Sequence, residues 1–161
     1  MIKNLKVPEE RIGVLKADRI KLEKSTSTKI KIEKNSVSIE GDPIRVWETI
    51  DVVKAIGRGF NPDKSLQLID EDKILHVINI KDFRKTDKAI KRIKSRIIGS
   101  EGKTKRRLEE MSDCMISVYG KTVSIIGDSK KVPNVKDAIE MFINGSKHNK
   151  VYNYLSRCSD E

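Results

Sequence analysis

Arg96-Ile97-Ile98-Gly99-Ser100-Glu101-Gly102-Lys103-Thr104 is the stretch on which the fold turns. Upstream, Ile90, Ile93 and Ile97 recur at i, i+3 and i+7 behind Thr86, a good cap, which predicts a helix with one buried stripe. Downstream, Leu108 and Met111 mark the inward side of a second helix from about Lys103 to Ser112. The glycines between them let the backbone turn sharply and approach a sugar-phosphate with no Cβ in the way. The segment is not a P-loop. That motif needs a glycine where Ile97 stands, and a strand rather than a helix ahead of it.

Sliding the sequence on itself by 86 residues shows a second feature. Over residues 12–42 against 98–128 there are ten identities in 31 ungapped positions. Ile12-Gly13 falls on Ile98-Gly99, Leu22-Glu23 on Leu108-Glu109, and Val37-Ser38-Ile39 on Val123-Ser124-Ile125. Gly41-Asp42 falls on Gly127-Asp128. Matches at apolar and glycine positions are those a shared fold constrains, so the chain reads as two copies of one small domain.

Each copy is expected to run β-α-α-β-β-α. In the second, Ile74–Ile80 is a strand and the two helices flank the glycine segment. Met115–Tyr119 and Val123–Gly127 form a hairpin about Gly120 and Lys121. A third helix over 133–144 buries Val135, Ala138, Ile139 and Phe142, with Pro133 in its first turn. In the first, Ile2–Val7 is a strand and two short helices flank Gly13. Lys29–Glu33 and Ser36–Glu40 are strands, and Asp42-Pro43 starts a third helix that Gly57 and Gly59 end. The expected boundaries are 1–60 and 74–146 for the two copies and 61–73 for a linker with an apolar turn at Leu66, Leu68 and Ile69. Residues 147–161 add a C-terminal helix and tail, frayed over the last three residues.

Charge narrows the partners. The chain has 161 residues and a net charge of +10. Residues 1–80 carry a net +2 and residues 81–161 a net +8, and 12 basic against 3 acidic side chains crowd into 81–107. Such a field suits polyphosphate, although a lysine-rich solvated face is the plainer account. No stretch reaches the ~18 apolar residues of a membrane span, and MIKNLKVPEE has no signal-peptide pattern. Two cysteines, Cys114 and Cys158, make no disulfide framework, and beside only two histidines they make no zinc site. The expectation is a reduced, cytoplasmic protein without membrane partner, cofactor or metal.

With its context of elements, the Ile98-Gly99-Ser100-Glu101-Gly102 segment resembles the glycine loop of a type I KH domain. The fold class this implies is α+β, two KH domains in tandem. The resemblance implies that the loop clamps about four nucleotides of a single strand against the amides of the following helix. The candidate RNA-binding residues are Arg96, Ile98, Gly99, Ser100, Glu101, Gly102, Lys103, Thr104, Lys105 and Arg106, with Lys88 and Arg92 on the preceding helix. Glu101 faces phosphate unfavourably unless it points to solvent. Lys105 stands where many KH domains place an aliphatic residue, which predicts a more cationic groove. The first copy is degenerate: Gly13-Val14-Leu15-Lys16 lacks the second glycine, so it is expected to pack or to dock a protein rather than bind RNA. Glycines that serve packing alone remain the other reading of the loop.

The whole chain further resembles the archaeal and eukaryotic "partner of Nob one" family of pre-ribosomal-RNA processing proteins. The resemblance rests on the degenerate first copy, on Ala55-Ile-Gly-Arg-Gly-Phe-Asn-Pro, and on the loop segment. Ala138-Ile-Glu-Met-Phe-Ile-Asn-Gly, His148 and Val151-Tyr152 add to it. It implies binding near the 3′ end of the small-subunit rRNA or its precursor, within a pre-ribosomal particle, beside the endonuclease that matures that end. The alternatives are an adaptor in translation or RNA decay with residual RNA affinity, and, less favoured, a DNA binder.

No catalytic constellation is legible, so the chain is expected not to be an enzyme. His76 reads as a strand residue, His148 as exposed, Cys114 as a small buried residue and Trp47 as buried. Tyr119, Tyr152 and Tyr154 could stack on bases but read first as packing residues.

Overall fold

The computed structural model describes residues 1–159. The chain divides into two compact units, Met1–Lys73 and Ile74–Glu161.

The first unit contains β1 (Ile2–Lys6), α1 (Glu9–Ala17), α2 (Arg19–Thr26), β2 (Lys29–Glu33), β3 (Ser36–Glu40) and α3 (Pro43–Gly57). Its antiparallel sheet has the order β1-β3-β2. Alternation along β3 sends Val37 and Ile39 into the core with Leu15, Leu22, Ile30 and Val46. Asp42 caps α3, its carboxylate accepting from the Ile44 amide at 3.1 Å, with Pro43 in the first turn. Such a cap stabilises by about 1 kcal/mol.

Two expectations for this unit need correction. The helices do not part at Gly13. α1 runs straight through Gly13 and Lys16, and the break comes at Asp18. Without a second glycine nothing in the sequence demands a left-handed turn there, so the helix continues. Trp47 is not buried: it is 55% exposed on α3, with the Lys3 ammonium 5.2 Å from its ring centre.

Residues 61–73, expected as a linker, fold onto the first unit. Asn61 caps the short helix α4 (Pro62–Ser65), and a 3-10 turn at Leu66–Ile69 follows, burying Leu68. Asp63 of this segment pairs with Lys21 on α2.

The second unit repeats the plan. It contains β4 (Lys73–Asn79), α5 (Asp87–Ile98), α6 (Lys103–Ser112), β5 (Met115–Tyr119), β6 (Thr122–Asp128) and α7 (Val132–Ile143), and then adds α8 (His148–Ser159). The sheet order is β4-β6-β5. The Thr86 hydroxyl caps α5 by accepting from Ala89 at 3.1 Å. Ile90, Ile93 and Ile97 join Leu108, Ile116, Val123, Ile125, Val135, Ala138, Ile139 and Phe142 in one core, closed by Val151 and Leu155 of α8. Truncating such a side chain to Ala removes about 2–5 kcal/mol. No helix among the described residues is long and apolar enough to cross a membrane.

The 86-residue offset extends to local detail. The Ile30–Ile39 pairing of β2 and β3 recurs as Ile116–Ile125. Thr26 and Ser112 each donate a side-chain bond to the carbonyl four residues back, at 2.7 and 2.6 Å. Ser27 and Asp113 both end their helices in the left-handed conformation.

Candidate nucleic-acid interface

The site is built on the break between α5 and α6. α5 ends at Ile98 because Gly99 leaves the helix at φ 74°, ψ 175°. That region of conformational space is essentially closed to other residues. Glu101 (φ 56°) and Gly102 (φ 75°) follow in left-handed conformations, and the chain re-enters a helix at Lys103. Gly99 is also pressed against Thr104, leaving no room for a Cβ, while a Cβ on Gly102 would meet only the flexible Arg106 side chain. One glycine fixes the fold of the loop, and the other leaves its surface bare.

The loop delivers the start of α6 uncovered. No side chain caps this helix and no acid stands in its first turn. Its leading amides and the positive end of its dipole are open to an anion. Ser100, Glu101, Lys103 and Arg106 are exposed, Thr104 is buried, and Ile98 and Lys105 are partly buried. Glu101 projects from the loop as an exposed side chain. Arg106 reaches back so that its guanidinium would lie 3.5 Å from a Cβ on Gly102.

The groove beside the loop is less cationic than the sequence suggests. Lys105 pairs with Glu109 at 3.2 Å, and the other Glu109 oxygen accepts from the Ile116 amide on β5 at 3.0 Å. The charge at Lys105 is matched, and an amide of the edge strand is taken. The first copy has the same pair, Arg19 with Glu23 at 2.8 Å.

The basic residues of α5 lie in different surroundings. Arg96 turns away from the loop and donates to the Phe142 carbonyl at the end of α7 and to the Ser146 carbonyl just beyond it, at 3.2 and 2.5 Å. In the first copy Arg11 does the same for α3, donating to the Ile56 and Phe60 carbonyls at 2.8 and 2.9 Å. The recipients lie 86 residues apart in both pairs, so this contact is part of the duplicated fold and occurs where no glycine loop exists. Arg92 shares that side of α5 and lines a small cleft with Arg84, Arg96 and Phe142. Lys88 is exposed about 16 Å of helix away from Gly99. Lys94 and Lys91, four and seven residues before Ile98, share its face of the helix, and the sequence reading overlooked them. The signal was available: counting back from the loop, rather than from the densest basic run, finds them.

His148 is half-buried, not exposed as expected; its ring packs 5.0 Å from Phe142 and its Nε2 lies 3.2 Å from the Arg96 carbonyl. His76 lies in β4, and Cys114 is buried. No group of three or more His, Cys, Asp or Glu side chains that could hold a metal is found among the described residues.

Two β-α-α-β-β-α units, one with an intact Gly-x-x-Gly loop ahead of an uncapped helix, define a tandem type I KH protein. A family model for the second KH domain of PNO1, described as a eukaryotic-type, type I KH domain, matches residues 74–160. A KH domain-containing protein of Methanocaldococcus jannaschii is 42% identical over 166 aligned positions, covering 97% of this chain and 73% of that one. The pre-rRNA-processing protein PNO1 of Chaetomium thermophilum is 26% identical and is matched over 95% of this chain but only 64% of its own length. Dim2p of Pyrococcus horikoshii superposes with a TM-score of 0.91 at 40% identity, covering 98% and 99% of the two chains. Its complex with a/eIF2alpha and rRNA gives 0.92 at 40% identity, covering 100% of this chain and 96% of that one. The chain belongs to the PNO1/Dim2 family of KH-domain pre-rRNA-processing proteins.

Proposed function

We propose that this protein binds a single-stranded segment near the 3′ end of the small-subunit rRNA precursor and assists maturation of that end without catalysis of its own. The observation that carries the reading is the loop itself: Gly99 and Gly102 present the bare, uncapped start of α6 to a phosphate backbone. Lys103 and Arg106 flank that opening, and Lys91 and Lys94 share the face of Ile98. The solved complex of the Pyrococcus horikoshii relative with rRNA supports an RNA ligand. That complex also holds a protein, a/eIF2alpha, which supports a protein partner beside the RNA.

On this reading the first copy is a scaffold and docking element, and the partners are a pre-ribosomal particle in the cytoplasm and the endonuclease that cuts the 3′ end. Crosslinking in cells followed by sequencing of bound RNA tests it. Reads concentrated at the 3′ end of small-subunit rRNA are expected. Reads spread over messenger RNA would favour the adaptor reading.

A further inference from the structure

α8 is an addition to the β-α-α-β-β-α plan, and its two sides differ in kind. Val151, Tyr152 and Leu155 are buried. The other side carries Asn149, Lys150, Asn153, Ser156 and Arg157, which with Lys147 just ahead of the helix line an open trough of about 650 Å³. All six are exposed, and none is acidic or apolar. Among the described residues Lys147, Lys150 and Arg157 have no ion-pair partner.

One contact ties α8 to the helix that follows the glycine loop. The Arg107 guanidinium lies 4.0 Å from the centre of the Tyr152 ring. Arg107 stands one turn after Lys103, the first residue beyond the loop, and Asn149 and Ser156 stand one turn either side of Tyr152. By helical spacing the Arg107–Tyr152 pair therefore stands between Lys103 and the α8 positions of Asn149 and Ser156. The exposed acids nearby are few: Glu110 lies three residues after Arg107, and the Asp137 carboxylate accepts from the Tyr154 hydroxyl at 3.1 Å.

We propose that this face of α8 is a second phosphate track, over which an RNA strand leaving the glycine loop continues by way of Arg107. The proposal rests on the RNA reading of the loop. A protein-docking face is built around apolar and aromatic anchors with charge at its rim. Here every lining side chain ends in a cationic, amide or hydroxyl group and none is an apolar or aromatic anchor, which suits a polyanion held by charge and by hydrogen bonds to phosphate and sugar. From Lys147 to Arg157 the track spans about 15 Å, enough to extend the site beyond the nucleotides that the loop alone would hold.

The test uses the full chain and two labelled single-stranded RNAs, one of about five nucleotides and one of about twelve. Wild type, Gly102→Asp and the combined Lys147→Ala, Lys150→Ala, Arg157→Ala variant are titrated over a range of salt. The triple variant is expected to bind the longer RNA about tenfold more weakly, with a salt slope smaller by about 2. It should bind the short RNA as wild type does, and Gly102→Asp should lose both. If wild type binds both RNAs and the triple variant matches it on the longer, or weakens on both alike, the track is refuted and the loop reading stands. If wild type binds neither, both fail. Capture of an acidic protein by wild type but not by the triple variant, with RNA affinity unchanged, would reassign the face to a protein.

Discussion

A Cβ placed on Gly99 would fall 2.2 Å from Thr104 Oγ1, 2.8 Å from its Cβ and 2.8 Å from its backbone nitrogen. The loop and the first turn of α6 are packed against each other at that point, and a side chain cannot be inserted without moving the helix.

Gly99→Ala is therefore expected to lower stability and RNA affinity together. The backbone conformation alone accounts for about 1–3 kcal/mol, and the collision adds to it. Thr104→Ala should not rescue the variant, because the Cβ and the backbone nitrogen stay in place. Urea denaturation and RNA anisotropy on the single and double variants check this; rescue by Thr104→Ala would show that the hydroxyl was the whole obstacle.

Gly102→Asp separates stability from binding. The position is open, its nearest contact being Arg106 at 3.5 Å, and aspartate tolerates a left-handed backbone better than most residues. The variant should stay folded, at a cost of about 1–2 kcal/mol, and lose RNA affinity because a carboxylate now stands where phosphate must approach. A folded variant with wild-type affinity would remove the loop from the RNA site.

Arg96 and Arg106 should part company. Arg96→Ala removes a donor from the Ser146 carbonyl beyond α7 and from the Phe142 carbonyl, which keeps the Gly145 amide, and should lower the melting temperature while leaving the salt slope of RNA binding unchanged. Arg106→Ala should leave stability within about 0.5 kcal/mol and reduce the slope by roughly 0.7. The reverse pattern would put Arg96 on the RNA.

The aligned glycine of the first copy should respond with the opposite sign. Gly13 lies inside α1 with nothing within 4 Å of a Cβ, so Gly13→Ala is expected to stabilise by about 0.5–1 kcal/mol without touching RNA affinity. Lys16→Gly should only weaken α1, since one restored glycine leaves Val14 and Leu15 in a continuous helix. Gain of RNA binding in the first unit after Lys16→Gly would overturn this division of labour.

What could be read from sequence followed the strength of local signals. β2, β3, β5 and the cap of α3 fall where alternation, Asp42 and Pro43 place them. The loop was legible because two glycines in a basic, helix-flanked segment have few other uses. The alignment of Gly13 with Gly99 puts the break of the first copy in the wrong place. Alone, a glycine merely weakens a helix, and the second glycine is what forces the turn. Charge density does not reveal where a guanidinium points, so the carbonyl contacts of Arg96 are not legible in the sequence; its counterpart Arg11 becomes visible only when the recipient carbonyls are compared. Trp47 has no sequence mark that distinguishes an exposed indole from a buried one on an amphipathic helix.

The most direct measurement is ultraviolet crosslinking of the full chain to a single-stranded oligonucleotide of the rRNA 3′ end, with the attached peptides mapped by mass spectrometry. Attachment within residues 98–107, absent in Gly102→Asp, is the expected result. Attachment concentrated on residues 9–18 of the first copy, or unaltered by Gly102→Asp, would contradict the assignment of RNA binding to the second glycine loop.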